Sequence, residues 1–108
     1  MLSLVRTTVL IPIADNQGIV FDAETWAWVL AEGLRLFGGL TFEGTVTGQW
    51  IEDGTIYADE SRRYTISLTS WEQMPQWLAF IQALRVQFRQ VALYGEVAGI
   101  PEIFRGTG

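Results

Sequence analysis

Residues 41–69 read TFEGTVTGQWIEDGTIYADESRRYTISLT, and this stretch decides the fold. Apolar and polar residues alternate on both sides of Asp53-Gly54, a dipeptide that is a strong signal for a two-residue hairpin turn. The pattern predicts two antiparallel strands. The return strand is broken by the polar residues 59–61, where we expect a bulge or a widened loop.

The alternation also predicts where the side chains of the first strand point. Phe42, Val46 and Trp50 are expected to face the helices, and Gly44 and Gly48 on the same face are expected to accommodate a bulky neighbour. The opposite face then carries polar side chains: Glu43, Thr45, Thr47, Gln49, Thr65 and Ser67. Such a face is exposed to water, packs on a second sheet in a dimer, or holds a ligand.

Two elements precede the hairpin. Residues 4–13 are rich in Val, Ile and Thr and predict a strand, and the run 9–11 predicts burial on both of its faces. Residues 22–37 carry apolar side chains at spacings of three and four, which predicts a helix with the stripe Trp26, Leu30, Gly33, Leu34 and Phe37. Gly38-Gly39 is expected to end this helix.

Two further elements, and a candidate third, follow the hairpin. Ser70 is a candidate N-cap with Gln73 as its capping-box partner, and the regular helix is expected to begin at Pro75 after a looser turn. Its buried stripe is predicted to contain Trp77, Ile81, Leu84 and Phe88. Residues 91–97 predict the last strand, and residues 100–104 are a candidate short edge strand.

The resulting order is β-α-β-β-α-β, and 108 residues are enough for one domain and not for two. This order is typical of the ferredoxin-like α+β fold, a four-stranded antiparallel sheet with two helices on one face. We therefore predict a single domain over residues 1–108. Right-handed crossovers place its first and third strands in the centre of the sheet.

The composition excludes several chemistries. The chain is 49% hydrophobic and 18% charged, so it is globular, and it contains no Cys, His or Lys. A Cys nucleophile, a His base, a Lys Schiff base, a disulfide framework and a Cys/His zinc site are therefore ruled out. The spaced acidic ligands of a calcium loop are missing as well, so no metal site is predicted.

Charge and motifs narrow the partners. The formal net charge is −5, and the one adjacent basic pair, Arg62-Arg63, follows the acidic pair Asp59-Glu60, which argues against nucleic-acid binding. No phosphate-binding glycine loop is present, and no cofactor is expected. Polar residues interrupt the N-terminal hydrophobic run, so neither a signal peptide nor a membrane span is predicted, and we expect a cytoplasmic protein.

Carboxylates, tyrosines and arginines are the groups that remain for catalysis. Glu43, Arg63 and Tyr64 are the candidates on the hairpin, and Glu96 is a fourth in the last strand. Each has an ordinary structural alternative: an edge carboxylate paired with an arginine, or a tyrosine packed in the core or an interface.

Candidate binding residues are of two kinds. Trp28 shares its helix side with charged residues and Trp71 lies at a helix entrance, so both are candidates for a partner surface. The alternative for Trp28 is a half-buried ring that leans across its own helix. Thr45 and Thr47 are candidate ligand contacts on the polar face of the sheet.

The segment Gly38-Gly39-Leu40-Thr41, followed by Gly48-Gln49-Trp50, resembles a pattern in small uncharacterised bacterial and phage proteins with a ferredoxin-like layout. The resemblance implies a dimeric domain and supplies no catalytic residue to transfer.

Three functions are carried forward from the sequence. The first is a small homodimeric binding or regulatory domain, because association would cover the second face of the sheet. The second is a small-molecule enzyme of the dimeric α+β-barrel kind that uses Glu43, Tyr64 and Arg63. The third is an accessory protein that binds a partner through Trp28. The missing residue types favour binding over catalysis.

Overall fold

The structure is a computed structural model, and it describes residues 3–106. In chain order its elements are β1 (Val5–Pro12), α1 (Ala23–Phe37), β2 (Thr41–Glu52), β3 (Thr55–Leu68), a 3-10 turn (Trp71–Gln73), α2 (Met74–Gln87), β4 (Ala92–Val97) and β5 (Ile100–Arg105). The expectation about a signal segment partly concerns residues 1–2, which lie outside the described residues.

The sheet is antiparallel, with the strand order β2-β3-β1-β4-β5. The α+β class, the two helices and the central position of the first and third strands are confirmed. The predicted number of four strands is wrong, because β5 adds a fifth. Ala98 and Gly99 both have positive φ angles, 52° and 81°, and this turn folds β5 back onto β4.

The core lies between the two helices and one face of the sheet. The stripe predicted for α2 is confirmed, since Trp77, Ile81, Leu84 and Phe88 are all buried. The remaining buried apolar residues come mainly from β1, β3 and α1: Val5, Val9, Ile11, Phe21, Trp26, Val29, Tyr64, Ile66, Leu68, Phe80 and Leu93.

Helix α1 has the predicted ends. The Asp22 carboxylate accepts a hydrogen bond from the backbone N–H of Thr25 at 2.9 Å, and Gly38 closes the helix in the left-handed conformation with φ 78°. The predicted stripe is only partly right. Val29 is buried, whereas Leu30 and Leu34 are exposed, so the buried side is narrower than the periodicity suggested.

A β-bulge in β2 changes which residues face the helices. The register shifts between Phe42 and Thr45, where Gly44 has a φ of 94° that only glycine adopts without strain. Phe42 packs on Tyr64 as predicted, but Val46 pairs with Ser61 on the opposite face. One inserted residue reverses every later side chain, because the side-chain period of a strand is two.

The bulge therefore overturns several expectations. Val46 and Trp50 point away from the helices, and Thr45 and Thr47 are on the helix-facing side. The bulge predicted at residues 59–61 is absent, since β3 pairs with β2 without a break there. No side chain packs against Gly44 or Gly48, because a Cβ built at either position would have no atom within 4 Å.

The outer part of the hairpin projects from the domain, which measures 48 × 31 × 30 Å. We call residues 47–60 the arm, and every one of them is exposed. Its two-residue turn is the predicted one, with positive φ at both Asp53 and Gly54. Within residues 3–106, no helix is long and apolar enough to cross a membrane.

Candidate functional site

The face of the sheet that the helices leave uncovered, here called the open face, carries a trough of about 710 Å³. Its floor is formed by Leu10 and Pro12 of β1, and the bulge turns two residues of β2, Val46 and the arm residue Trp50, into one wall. The other residues around the trough come from the remaining four strands and the loop before β4: Thr47, Gly48, Gln49, Asp59, Ser61, Gln90, Ala92, Leu93, Tyr94 and Ile103.

A second cavity of about 540 Å³ adjoins the trough. It lies between the arm and the loop after β1, and it shares Pro12, Trp50, Asp59 and Gln90 with the trough. The indole of Trp50 stacks on the ring of Tyr57 with centroids 5.5 Å apart and planes 17° from parallel. Both rings remain exposed, so an aromatic surface is available where the two cavities meet.

Next to the trough, polar side chains of β2 and β3 form a cluster. Arg63 Nε donates to Glu43 Oε1 at 3.4 Å, and the Thr65 hydroxyl donates to the same carboxylate oxygen. The Thr65 hydrogen bond, with Arg63 in support, lowers the pKa of Glu43. Glu43 is therefore an anion at neutral pH and an acceptor of hydrogen bonds, not a proton donor.

Strand β4 contributes a second pair. The Tyr94 hydroxyl donates to Glu96 Oε1 at 2.9 Å, and this hydrogen bond to a carboxylate raises the pKa of Tyr94. Tyr94 and Arg63 both pair with Leu10 of β1, so the three residues form one row across the sheet. We call Glu43, Arg63, Thr65, Tyr94 and Glu96 the polar cluster.

The structure thus brings three of the four predicted catalytic candidates to one face. Glu43 and Arg63 are paired and partly exposed, and Glu96 lies in the row formed by Thr8 and Thr65. Tyr64 is separated from them. It is 2% exposed on the helix side, where it stacks on Trp26 with a centroid distance of 6.3 Å.

The predicted binding residues do not gather at this site. Trp28 is half-buried against the core, which matches the structural alternative given for it. Trp71 is 60% exposed in the 3-10 turn, beside a small cavity that Leu4 and Ala98 also line. Thr45 is on the helix-facing side, while Thr47 borders the trough at its edge.

The sequence pattern missed Tyr94, Leu10 and Trp50 as residues of the site. Tyr64 and Arg63 are consecutive residues of β3, so their side chains point to opposite faces of the sheet and do not belong to one site. Tyr94 and Glu96 are two residues apart in one strand, which is the spacing that puts two side chains on the same face. The face that Trp50 occupies was predicted wrongly because of the bulge in β2, and Gly44 was the one residue in the sequence that indicated a bulge there.

The described residues contain no group of three or more carboxylates placed to hold a metal ion. The open face therefore offers an aromatic and apolar trough that Tyr94 helps to line. The charged side chains of Glu43, Arg63 and Glu96 and the hydroxyl of Thr65 lie on the same face outside that lining. Such a surface can stack a planar ring, bind a positive charge, and hydrogen-bond a polar end group.

No protein-family model and no curated protein matches this chain. Solved structures do match it. A phage SAM lyase in complex with S-methyl-5′-thioadenosine superposes with a TM-score of 0.71 at 16% identity, covering 100% of this chain and 94% of that one. The apo state of a phage SAM lyase gives 0.57 at 16% identity, over 97% and 90% of the two chains.

A different protein shares the fold as well. The divalent cation tolerance protein CutA1 of Thermus thermophilus superposes with a TM-score of 0.55 at 10% identity, over 98% of this chain and 84% of that chain. At these identities the likeness extends to the fold alone. It matches, at the level of the fold, the sequence resemblance to small bacterial and phage proteins.

Proposed function

We propose that this chain is a small-ligand-binding domain whose ligand is a sulfonium nucleoside of the S-adenosylmethionine class. The observation that carries the proposal is the trough on the open face, with the stacked Trp50 and Tyr57 rings at one end and the polar cluster at the other. The full-length likeness to a lyase solved with S-methyl-5′-thioadenosine supports the choice of ligand.

The size and lining of the two cavities suit a nucleoside. Ligand sites are typically clefts of about 300–1,000 Å³ with apolar walls and a few polar groups, and the trough measures about 710 Å³. An adenine ring stacks on an exposed aromatic face with a contribution of ~1–3 kcal/mol. Trp50 is the aromatic residue that both cavities share, so we assign the adenine contact to it.

The electrostatics suit a cation. The chain has a net charge of −5, and Asp59 borders the trough together with Tyr94. A sulfonium sulfur is permanently charged and is attracted to carboxylates and to aromatic faces. A neutral thioether lacks this attraction, so S-adenosylmethionine is expected to bind more tightly than S-methyl-5′-thioadenosine.

Isothermal titration calorimetry with these two nucleosides tests the proposal. Trp50→Ala is expected to weaken both by ~1–3 kcal/mol, because each carries the adenine ring. Trp71→Ala is the matched control, since that indole is also exposed but lies outside both cavities. Absence of binding by the wild-type chain, or equal losses in the two variants, would contradict the proposal.

A second candidate function is lyase activity on the same ligand, favoured by the Tyr94–Glu96 pair beside the trough. The bond between the sulfonium sulfur and the aminobutyrate chain breaks, and sulfur keeps the electron pair as a neutral thioether. The chain leaves either when its own carboxylate oxygen bonds to the carbon that sulfur leaves, which gives a lactone, or when a β-proton passes to the Glu96 carboxylate, which gives an alkene. Neither route consumes water.

Mass spectrometry of S-adenosylmethionine incubated with the chain tests this activity. The expected products are S-methyl-5′-thioadenosine and the four-carbon amino acid product, as its lactone or its alkene. Tyr94→Phe is expected to slow turnover by about 10²-fold, a typical loss for a general acid or base, with Trp71→Ala, outside both cavities, as the control. Product formation no faster than in buffer would leave binding as the function.

We also propose that the chain self-associates through its arm, for which the sequence alone predicts a homodimer. Ile51 and Ile56 pair across the arm and are 70% and 66% exposed. An isolated two-stranded hairpin is at best marginally stable in water, and exposed apolar strands favour association. A second copy that covers the arm would also narrow the mouth of the trough.

Light scattering after size-exclusion chromatography tests the association and measures its stoichiometry. Ile51→Lys is expected to lower the mass of the particle, because a charge replaces the apolar contact. Val86→Lys is the control, since Val86 is similarly exposed but lies on α2. A wild-type chain that is monomeric at micromolar concentration would count against self-association and would leave ligand binding to be judged by calorimetry.

A further inference from the structure

We propose that the polar cluster binds the α-amino acid end of the ligand, with Arg63 holding its carboxylate and Glu43 and Glu96 its ammonium group. This inference rests on the proposed function and assigns to the site a specificity: for nucleosides with a free amino acid tail over those without one.

The guanidinium of Arg63 has a free edge. Its Nε donates to Glu43, and neither terminal nitrogen has a hydrogen-bond partner among residues 3–106. The side chain is 37% exposed, so this edge is open to solvent on the same face as the trough. An arginine fork of this kind matches a carboxylate with two parallel hydrogen bonds.

Two carboxylates lie on the same face as this arginine: Glu43 is paired with it, and Glu96 is two strands away on β4. Each uses one oxygen: Oε1 of Glu43 accepts from Arg63 and Thr65, and Oε1 of Glu96 accepts from Tyr94. The second oxygen of each has no partner within the described part of the chain. The face therefore carries both signs of charge, with Arg6 close enough to act on Glu43 as well, and such a surface is complementary to a zwitterion, whose ammonium and carboxylate lie on the same carbon.

The position of the cluster fits the geometry of the ligand. Arg63, Leu10 and Tyr94 form one row across neighbouring strands, and the last two of these residues also line the trough. Neighbouring strands are about 4.8 Å apart, so the arginine lies one strand from the floor of the trough. A sulfonium in the trough therefore places the amino acid tail within reach of the cluster.

A purely structural ion pair explains these observations less completely. The Glu43–Arg63 contact is a single bond of 3.4 Å between partly exposed groups, and such pairs contribute little stability. It does hold Arg63 on the open face. Thr8, between Thr65 and Glu96 on this face, is only 2% exposed, so the side chains around it pack closely.

The experiment compares three nucleosides on the full chain by calorimetry. S-Adenosylmethionine and S-adenosylhomocysteine carry the amino acid tail, the second without the sulfonium charge, and S-methyl-5′-thioadenosine carries neither. Arg63→Gln is expected to weaken the first two by about tenfold or more, since a charged hydrogen bond contributes ~1.5–3 kcal/mol, and to change the third by less than about twofold. Arg63→Lys is expected to recover only part of the loss.

The control is Arg35→Gln, which makes the same change in net charge on α1, away from the open face. Equal weakening of all three nucleosides by Arg63→Gln would overturn the inference while leaving the proposed function in place. A wild-type chain that binds none of them would overturn both. If Arg63→Gln proves unfolded by circular dichroism, Glu96→Gln gives the same test, because it removes the charge and retains an acceptor for Tyr94.

Discussion

The two halves of β3 behave differently although they are one continuous strand. Residues 61–68 are mostly buried or partly exposed, whereas residues 55–60 are exposed without exception. Both halves contain apolar and polar residues, so β propensity does not distinguish them. The inner half lies under the helices and is paired with β1 on one side and, over much of its length, with β2 on the other. Residues 55–60 have β2 as their only strand partner.

The inner half of β3 contributes mainly to the stability of the fold, and the outer half contributes mainly to the surfaces proposed for binding and association. The inner half supplies Tyr64, Ile66 and Leu68 to the core on one face and Arg63 and Thr65 to the polar cluster on the other. The arm supplies Trp50 and Tyr57 to the two cavities and buries little of its own surface. Substitutions should therefore cost free energy of unfolding in the covered part and binding or association in the arm.

The largest expected effect is a loss of stability when an isoleucine is replaced by alanine in the covered part of the molecule, compared with the same replacement in the arm. Ile81→Ala removes a side chain that is fully buried under the sheet and is expected to lower the free energy of unfolding by ~2–5 kcal/mol. Ile51→Ala in the arm is expected to change it by about 0.5 kcal/mol or less. Urea denaturation measures both at a concentration where light scattering finds a monomer. Equal losses would mean that the arm packs against its own chain.

The next effect distinguishes two strand glycines. A Cβ at Gly95, in β4, would lie 2.7 Å from the carbonyl oxygen of Thr8 and 3.0 Å from the ring of Phe104. Gly95→Ala is therefore expected to cost ~1–3 kcal/mol, because backbone atoms must move. Gly48→Ala, in the arm, meets open space and is expected to be neutral or slightly stabilising. A Gly95→Ala variant as stable as wild type would refute the close packing of β4 on β1.

A smaller effect is expected at the start of α1, the helix that covers the inner half. Asp22→Ala removes the acceptor for the Thr25 N–H and is expected to cost ~1 kcal/mol in thermal or urea unfolding. Asp22→Asn retains an N-cap acceptor and should lose much less. If both variants lose the same amount, the charge near the helix N-terminus matters more than the hydrogen bond.

The smallest effect concerns the dependence of stability on pH. Because the folded-state pKa of Glu43 is below its ordinary value of 4.5, its contribution is present above that value and is lost as pH falls through the folded pKa. Carboxyl NMR titration is expected to find the pKa of Glu43 higher in Thr65→Val than in wild type, since the hydroxyl is the main cause of the shift. An unchanged pKa would show that the hydrogen bond does not form in solution.

The sequence predicted the elements well because their signals are local. The two-residue turn at Asp53-Gly54, the start of the first helix near Asp22, the glycine at Gly38 and the stripe of α2 each depend on residues close together in the chain. Strand β5 was weakly signalled, because it is short and its Phe104 packs on a distant residue, Trp77.

The site was predicted less well, for two physical reasons. The three charged candidates Glu43, Arg63 and Glu96 were found because few kinds of ionisable group exist in a chain without Cys, His or Lys. The pairing of Glu43 with Arg63 was predicted as well, but that of Glu96 with Tyr94 was not, because the alternation of β2 carries no information about β4. Trp50 was assigned to the wrong face, because a single bulge reverses the side-chain pattern beyond it.

Residue types and their neighbours along the chain are enough to specify the order of the elements, the ends of the first helix and the small set of groups available for chemistry. Tertiary pairing determines which face each strand residue occupies, where the helices stop covering the sheet, and that Tyr94 lines a trough on the face that also carries Arg63 and Glu43. Those facts depend on pairing between strands far apart in the chain, and one inserted residue in β2 is enough to change them.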